Sequence, residues 1–404
     1  MKIKRALIVI AGLLAFGHAA IAADIYTVTA SSGGQTVNLG FNTSLTTLDS
    51  LQTENLSTSL PSYTGVEVAT FLVNYRGLPL NMAYPTANST LLTFDIPSLG
   101  ISQTFAGATR NESKQQLVEY LKKGDFLGLM QKKLAAVSPV DPTAGNPNSL
   151  MSQMIANDFA TGFLNGASNI APQTAGAEST NLIGVGLRFG QYHQDGLSSQ
   201  SITLPFSYTI RSDIDPRRQL IISLPVSQTT VEGAKAYYVG AGLTYRFPMN
   251  DQWTLTPSAS YALTGSVDLG SFSQIAAGSL TSTYVFNQPG FDIAIGNMIG
   301  YYKTLKFSRS GYSYDPGIAN TVFRNGVMFS MPTNAFGKTM SIEYSLIDTR
   351  FTGSALYTRS YDEIGVTLGT NKNAQSARSY FRGGMNYLFS PQSKGFSVNL
   401  GYWF

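Results

Sequence analysis

The carboxy-terminal ten residues, Gly395-Phe396-Ser397-Val398-Asn399-Leu400-Gly401-Tyr402-Trp403-Phe404, alternate strictly up to their final aromatics. Phe396, Val398, Leu400, Tyr402 and Phe404 form one apolar row, and Gly395, Ser397, Asn399 and Gly401 form a small or polar one. A period of two marks a β-strand with one oily and one wet face. In water, such a strand at a chain terminus would fray or aggregate. In a membrane barrel the apolar row meets lipid and the aromatics mark the interface. The same pattern recurs upstream: Ile202, Leu204, Phe206, Tyr208 and Ile210 interleave with Ser201, Thr203, Pro205, Ser207 and Thr209. It continues through 237–247, 253–263, 291–301, 319–331, 339–347, 360–369 and 378–389, with weaker members starting near Asn181, Arg217 and Ala277.

A soluble sandwich also alternates, so two further features decide. Aromatics gather near the ends of the outward rows, as in an interface girdle. Connections also alternate in length. Those near Ser212–Pro216, Pro248–Asp251, Asn287–Gly290, Pro332–Gly337 and Asn371–Gln375 are short. Those near His193–Gln200, Gly265–Gln274, Lys303–Gly317 and Asp348–Thr358 are longer. With Phe404 at the periplasmic end, the longer set falls outside the cell. The expected fold is an all-β membrane barrel of about twelve antiparallel strands over residues 181–404, preceded by a small β-rich region and two or three helices.

The amino terminus reads as an export signal. Basic Met1-Lys2-Ile3-Lys4-Arg5 precedes an apolar run from Ala6 to about Phe16, and Ala20-Ile21-Ala22 supplies a small-x-small cleavage pattern. Residues 1–22 are therefore expected to be removed, with Asp24 near the mature start. Beyond them no stretch is apolar for the ~20 residues that a membrane helix requires. The net charge of +4 includes Lys2, Lys4 and Arg5, so the rest of the chain carries +1 and gives no footprint for nucleic acid. Cysteine is absent, so disulfides contribute nothing to stability.

Between signal and barrel lie three stretches. Residues 24–108 carry short strand-like runs such as Val66–Tyr75 and Leu91–Ile96, punctuated by Gly33-Gly34, Arg76-Gly77 and Pro97. Residues 109–166 read as helices. Thr109 and Glu112 have capping-box spacing, Asp125 can cap a second helix that ends at Pro139, and Asn146-Pro147 can start a third. That third helix carries Leu150, Met151, Met154, Ile155, Phe159, Phe163 and Leu164, a stripe that fits either an ordinary core or a helix lodged in a pore. Residues 167–180 are a small-residue linker; fully extended it reaches ~45–50 Å, so the helix is free to lie elsewhere than in the pore.

By strand parity, Arg188, Arg211, Arg246, Arg324 and Arg382 face inward with Glu343 and Glu363. An Arg in hydrocarbon at mid-depth costs roughly 2–4 kcal/mol, which demands a lumenal place for those in mid-strand. Two uses stay open: Arg–Glu pairs that stiffen a narrow barrel, or an Arg-lined passage favouring anions or a polypeptide. Arg211, with Arg217 and Arg218, lies near a periplasmic turn within reach of lipid headgroups. Chemistry is not expected. The one histidine beyond the signal is His193, and the outer-membrane phospholipase family has Ser two residues after its His, where this chain has Asp195. Metal-ligand spacing is missing, and Gly184-x-Gly186 and Gly240-x-Gly242 precede no helix that could cradle phosphate. No cofactor is expected.

The terminal Phe404 after the apolar row of Phe396, Val398, Leu400 and Tyr402 resembles the signal read by the bacterial barrel-assembly machinery. Signal, exported region, helix and twelve-strand barrel together resemble the autotransporter β-domain family, over roughly residues 146–404. Residues 24–145 lack the long run of short repeats of a β-helical passenger, which points to the solitary members of that family. The resemblance implies a Gram-negative outer-membrane protein that anchors, and in the same reading exports, its own amino-terminal region. Its partners would be outer-membrane lipid, the assembly machinery and periplasmic chaperones. An anion-favouring channel with an amino-terminal plug, and an adhesin or surface receptor acting through Lys303–Gly317, remain as alternatives.

Overall fold

A computed structural model of the protein describes residues 23–165, 181–309, 312–335, 337–370 and 380–404. The expected signal and linker lie outside these residues, as does the connection near Asn371–Gln375.

The carboxy-terminal part is a closed barrel. Its strands are β7 (Leu182–Gln194), β8 (Leu197–Arg211), β9 (Gln219–Val231), β10 (Ala234–Pro248), β11 (Trp253–Ser266), β12 (Ser271–Gln288), β13 (Phe291–Thr304), β16 (Ala319–Ala335), β17 (Lys338–Gly353), β18 (Ser360–Thr370), β19 (Tyr380–Phe389) and β20 (Ser393–Trp403). Each pairs antiparallel with its sequence neighbour, and β20 closes on β7 in the register Tyr402↔Val185, Leu400↔Leu187 and Val398↔Phe189. Twelve strands return both ends of the sheet to one rim, which holds Phe404 and is called here the carboxy rim. The opposite end is the distal rim. The outward rows stay bare: Ile202 is 52% exposed, Leu243 51%, Leu346 55% and Met385 52%. An apolar belt that encircles the molecule far exceeds the patches water tolerates, so its solvent is lipid.

The longer connections expected on one side are in part tight turns. Across His193–Gln200 the strands continue to a hairpin at Asp195-Gly196, with φ values of 49° and 80°. Both residues sit in the left-handed region that a two-residue type I′ turn requires, so the strands pair to its edge. Glu232-Gly233 repeats this geometry, and Val267–Gly270 is also short. Residues 354–359 form a longer distal connection, and the longest, between Thr304 and Ala319, holds a small hairpin of β14 (Phe307–Arg309) and β15 (Tyr312–Tyr314). The segment read weakly from Ala277 belongs to the longest strand, β12. Its inward row mixes Ile275, Ala277 and Val285 with Ser279, Thr281 and Thr283, which blurs the alternation.

Residues 24–106 form a six-stranded antiparallel sheet: β1 (Tyr26–Ser32), β2 (Gln35–Phe41), β3 (Ala69–Tyr75), β4 (Leu78–Tyr84), β5 (Leu91–Ile96) and β6 (Ile101–Ala106), in the order β2-β1-β3-β4-β5-β6. One face buries Val28, Phe71, Val73, Leu80 and Phe94 under helices. Two of these helices, α1 (Ser44–Ser50) and α2 (Thr53–Ser59), have no counterpart in the sequence reading. Each spans only seven residues and is rich in Ser and Thr; packing of Leu56 and Leu60 holds α2 where propensity does not, while α1 buries Ser44 and Thr47. Helix α3 (Arg110–Leu121) starts as expected: Thr109 accepts from the Glu112 amide at 3.2 Å, and Glu112 reaches back to the Ala108 amide at 2.8 Å. Helix α4 (Gly124–Val137) begins one residue before Asp125, with Lys123 at its cap and no side-chain bond there. Helix α5 (Leu150–Phe159) begins after Ser149, not Asn146. Asn146 instead folds its own turn, accepting from Asn148 N and donating to the Asp141 carbonyl, because the chain must bend there to enter the barrel.

Leu346→Arg, on the bare outer row of β17, is expected to lose about 2–4 kcal/mol of stability in bilayer-based urea titrations. Thr349→Ser, on the inward row, keeps the hydroxyl that Arg324 bonds, removes one buried methyl and should cost no more than about 1 kcal/mol; equal losses for the two would contradict the assignment of faces.

Candidate functional site: the filled lumen and its sealed mouth

Helix α5 lies inside the barrel. Its start is fixed at the distal rim, where Asn148 donates to Ser199 Oγ at 3.0 Å and its carbonyl accepts from Tyr238 at 2.8 Å. Its end widens into a π-turn, Ala160–Leu164, near the carboxy rim. There Arg246 donates to the Thr161 carbonyl at 2.6 Å and Thr283 to the Gly162 carbonyl at 3.1 Å. A cation on the last carbonyls answers both their unmet acceptors and the negative end of the helix dipole. At 1.5 Å per residue, Leu150 to Leu164 covers ~22 Å, most of a bilayer core.

The wall is not uniformly polar. The apolar stripe of α5 packs against inward apolar residues of β11, β12, β13 and β16, among them Ala262, Val285, Met298, Val322 and Met328. Glycines make room for the largest side chains. Gly296 and Gly326 are cross-strand partners, and a Cβ at either would stand 2.3 or 2.8 Å from the Phe163 ring. Phe163 thus fills a hole that two missing side chains leave, and the Phe159 ring packs beside it, tilted, at 5.1 Å between centroids. Burying two such rings supplies several kcal/mol at about 25 cal/mol per Å².

The other side of α5 faces a polar crevice. It has a volume of about 230 Å³ and is bounded by Gln153, Asn157, Arg188, Arg246, Arg382 and Asn399, among others. Arg188 donates to Asn399 Oδ1 at 2.8 Å and to Asn157 Oδ1 at 3.3 Å, tying wall to helix. Arg324 pairs with Glu363, donates to Thr349 at 2.7 Å and lies 5.1 Å over the Phe159 ring. Arg382 pairs with Glu343. On the helix, Asp158 accepts from Tyr302 at 2.7 Å and from Ser279 at 3.4 Å. Six of the seven ionisable residues inferred from parity therefore meet the lumen as pairs or as ties to α5. Arg211 is buried at the carboxy-rim end of β8, and its amide donates to Asn181. Arg217 stays in the turn, bonded to Asp215 at 3.0 Å and Asp251 at 2.8 Å. Phe396, Val398, Leu400 and Tyr402 form the outward row of β20, and Phe404, one residue past its end, continues it; Tyr402 and Phe404 are 46% and 51% exposed and stacked at 5.7 Å.

Sequence reasoning missed the distal mouth. The β3–β4 turn Arg76-Gly77 (φ 54° and 91°) drives Arg76 downward into a fully buried pair with Asp141 at 3.3 Å. Asp141 also accepts from Gln131 and from the Thr143 and Ala144 amides. Burial lifts the Asp141 carboxyl above the ordinary carboxylate range, and Arg76 and these donors draw it back. Backbone bonds stitch the amino-terminal domain to the strand connections: Ser44 N to Asp268 O at 2.7 Å, Tyr357 N to Ala135 O at 2.9 Å, and Thr358 N to Gly145 O at 2.9 Å. The signal was present in Arg76-Gly77 but read as punctuation. Which loops those turns would meet depends on the barrel being closed.

The class that this geometry defines is a twelve-stranded antiparallel membrane-type β-barrel, its lumen occupied by a helix of its own chain. No protein-family model matches the chain, and no curated protein matches it in sequence. Among solved structures it is similar to the β domain of the Bordetella autotransporter BrkA, at 14% identity over 55% of this chain and 98% of that one, with a TM-score of 0.44. It is similar to the translocator domain of the autotransporter NalP from Neisseria meningitidis, at 12% identity over 63% and 95%, TM-score 0.43. The NanC porin matches at 11% identity over 54% and 98%, TM-score 0.33. Autotransporter domains and a porin thus both stand among the similar structures.

Gly326→Val should push Phe163 and Phe159 off the wall. Overpacking of this kind costs about 1–3 kcal/mol. Denaturant titration of Gly326→Val, Phe163→Ala and the double variant is expected to give a coupling of at least ~0.5 kcal/mol, since the two changes share one space. Strict additivity would show that the ring does not occupy the glycine gap.

Proposed function

We propose that this protein sits in the outer membrane of a Gram-negative cell and displays its own residues 24–145 at the surface, with α5 as the link through the barrel. The observation that carries the reading is the direction of α5. It enters at the distal rim from the amino-terminal domain and ends at the carboxy rim, where β7 begins. Bacterial barrels keep short turns on the periplasmic side and their longer loops outside; with the long 305–318 connection outside, the domain lies on the cell surface in this reading. A chain that leaves its first domain outside and its barrel in the membrane must pass through or beside the lumen. In the folded protein it still lies there.

Once the helix is seated, the glycine hole, Arg246 and the Arg188–Asn157 bond hold it, and the Arg76–Asp141 latch holds the domain over the mouth. The reading is non-enzymatic. His193 Nδ1 does lie 2.9 Å from Ser198 Oγ at the distal rim. The Ser198 amide, however, donates to the Glu232 carboxylate at 2.6 Å, so an anion occupies the place where an oxyanion would need donors.

The arginine-lined crevice favours a second reading, an anion channel with an amino-terminal plug. The covered mouth speaks against open passage in this state. Planar-bilayer recordings separate the two: the intact chain is expected to show no steady current, and deletion of residues 150–164 to open one. A steady anion-biased current from the intact chain would favour the channel.

Protease added to intact cells should remove epitopes placed within residues 24–145 and leave the barrel whole. Epitopes that survive until the outer membrane is permeabilised would put the domain on the periplasmic side and end the display reading.

A further inference from the structure

The amino-terminal sheet ends on one side in β2, and among the described residues nothing pairs with its outer edge. The two-residue turn Gly33-Gly34 (φ 55° and 77°) makes Ser32 and Gln35 the closing hydrogen-bonded pair. Alternation then turns the peptide groups of Val37 and Leu39 toward β1, and those of Thr36, Asn38 and Gly40 outward. Natural edge strands are blunted by a charge, a proline, a bulge or brevity. Gln35-Thr36-Val37-Asn38-Leu39-Gly40-Phe41 has no charge and no proline, runs seven residues, and keeps an unbroken register with β1. On the core side, Val37, Leu39 and Phe41 are only partly buried and flank the domain core without closing it. The opposite edge, β6, differs: it is six residues long, and exposed Gln103 interrupts its core-side row between Ile101 and Phe105.

We propose that β2 is a homotypic docking edge whose occupant is β2 of a second copy of this chain, paired antiparallel about Asn38. The two-fold arrangement is self-complementary. Asn38 meets Asn38, Thr36 meets Gly40, and Val37 meets Leu39 of the other copy, so each half-covered apolar row closes the other. The nearest carboxylate, Asp24, lies against Gly40 and falls opposite Thr36 of the second copy rather than opposite its twin.

The direction of β2 decides where that second copy stands. The strand descends from the Gly33-Gly34 tip to the barrel mouth, which the chain reaches where Ser44 bonds Asp268. Antiparallel continuation of the sheet inverts the partner, so its barrel lies at the other end of the joined sheet. Two copies in one membrane do not meet this way; two copies in facing membranes do. One such pairing is weak, and an array of them across two surfaces gains by multivalency. The inference rests on the display reading, since a periplasmic domain would have no facing copy.

Because the chain has no cysteine, Asn38→Cys introduces its single thiol. A hydrogen-bonded antiparallel pair places the two Cα atoms ~5.5 Å apart, within disulfide range. Two cell populations would each produce full-length Asn38→Cys with tags of different size, and would be labelled with a membrane-impermeant maleimide or mixed and oxidised. The expected result is surface labelling, a mixed-tag disulfide dimer, and clumping by unsubstituted cells. Asn38→Pro removes an outward N–H and the exposed side-chain acceptor of Thr29, leaves the backbone ladder between β1 and β2 in place, and should cut clumping at least tenfold with the folded barrel retained. Labelling without a mixed-tag dimer or clumping overturns the docking edge and leaves display standing. Absence of labelling overturns both. A Thr104→Cys control on β6 that crosslinks equally would reduce the pairing to random collision and overturn the edge as well.

Discussion

In hydrocarbon no water is available for a backbone N–H or C=O, so a sheet that enters it must close on itself. Here closure is the meeting of β20 with β7, sealed at the carboxy rim where Ile183 and Phe404 exchange hydrogen bonds at 2.9 and 3.0 Å. Everything else follows from that seam. It fixes which residues face lipid, turns the alternate set inward, and brings to one lumen side chains from β7, β10, β16, β17, β18 and β19 that sequence distance keeps apart.

A closed barrel of twelve strands leaves a lumen too wide for its wall alone to fill. The chain fills it with α5, and the wall is divided to suit. One half is apolar with a glycine hole for Phe163; the other is polar, with Arg188 and Arg246 holding the helix and Arg–Glu pairs neutralising one another. Each buried charge has its counter-charge or hydrogen bonds because an unpaired one would cost several kcal/mol. A lumen arranged in this way receives one particular helix.

Much of this was legible in residue order. The apolar rows of β8 and β20 named the barrel, and parity alone sent Arg324 and Arg382 inward with Glu363 and Glu343. The capping box at Thr109 was readable because a cap is local. The start of α5 was not, since Asn146 and Ser149 are equally good caps and the bend into the barrel chose between them. Likewise, Gly296 and Gly326 look like any strand glycines until their cross-strand pairing and the ring that fills them are known.

The sequence by itself determined the period, the inward and outward sets and the segment count, because a strand writes its two environments into alternate residues. Only the tertiary structure decided that the helical stripe is a lumen core, that Arg76 latches the mouth and that β2 is left as an open edge. Those outcomes depend on which distant surfaces meet once the barrel closes, and no local spacing carries that information.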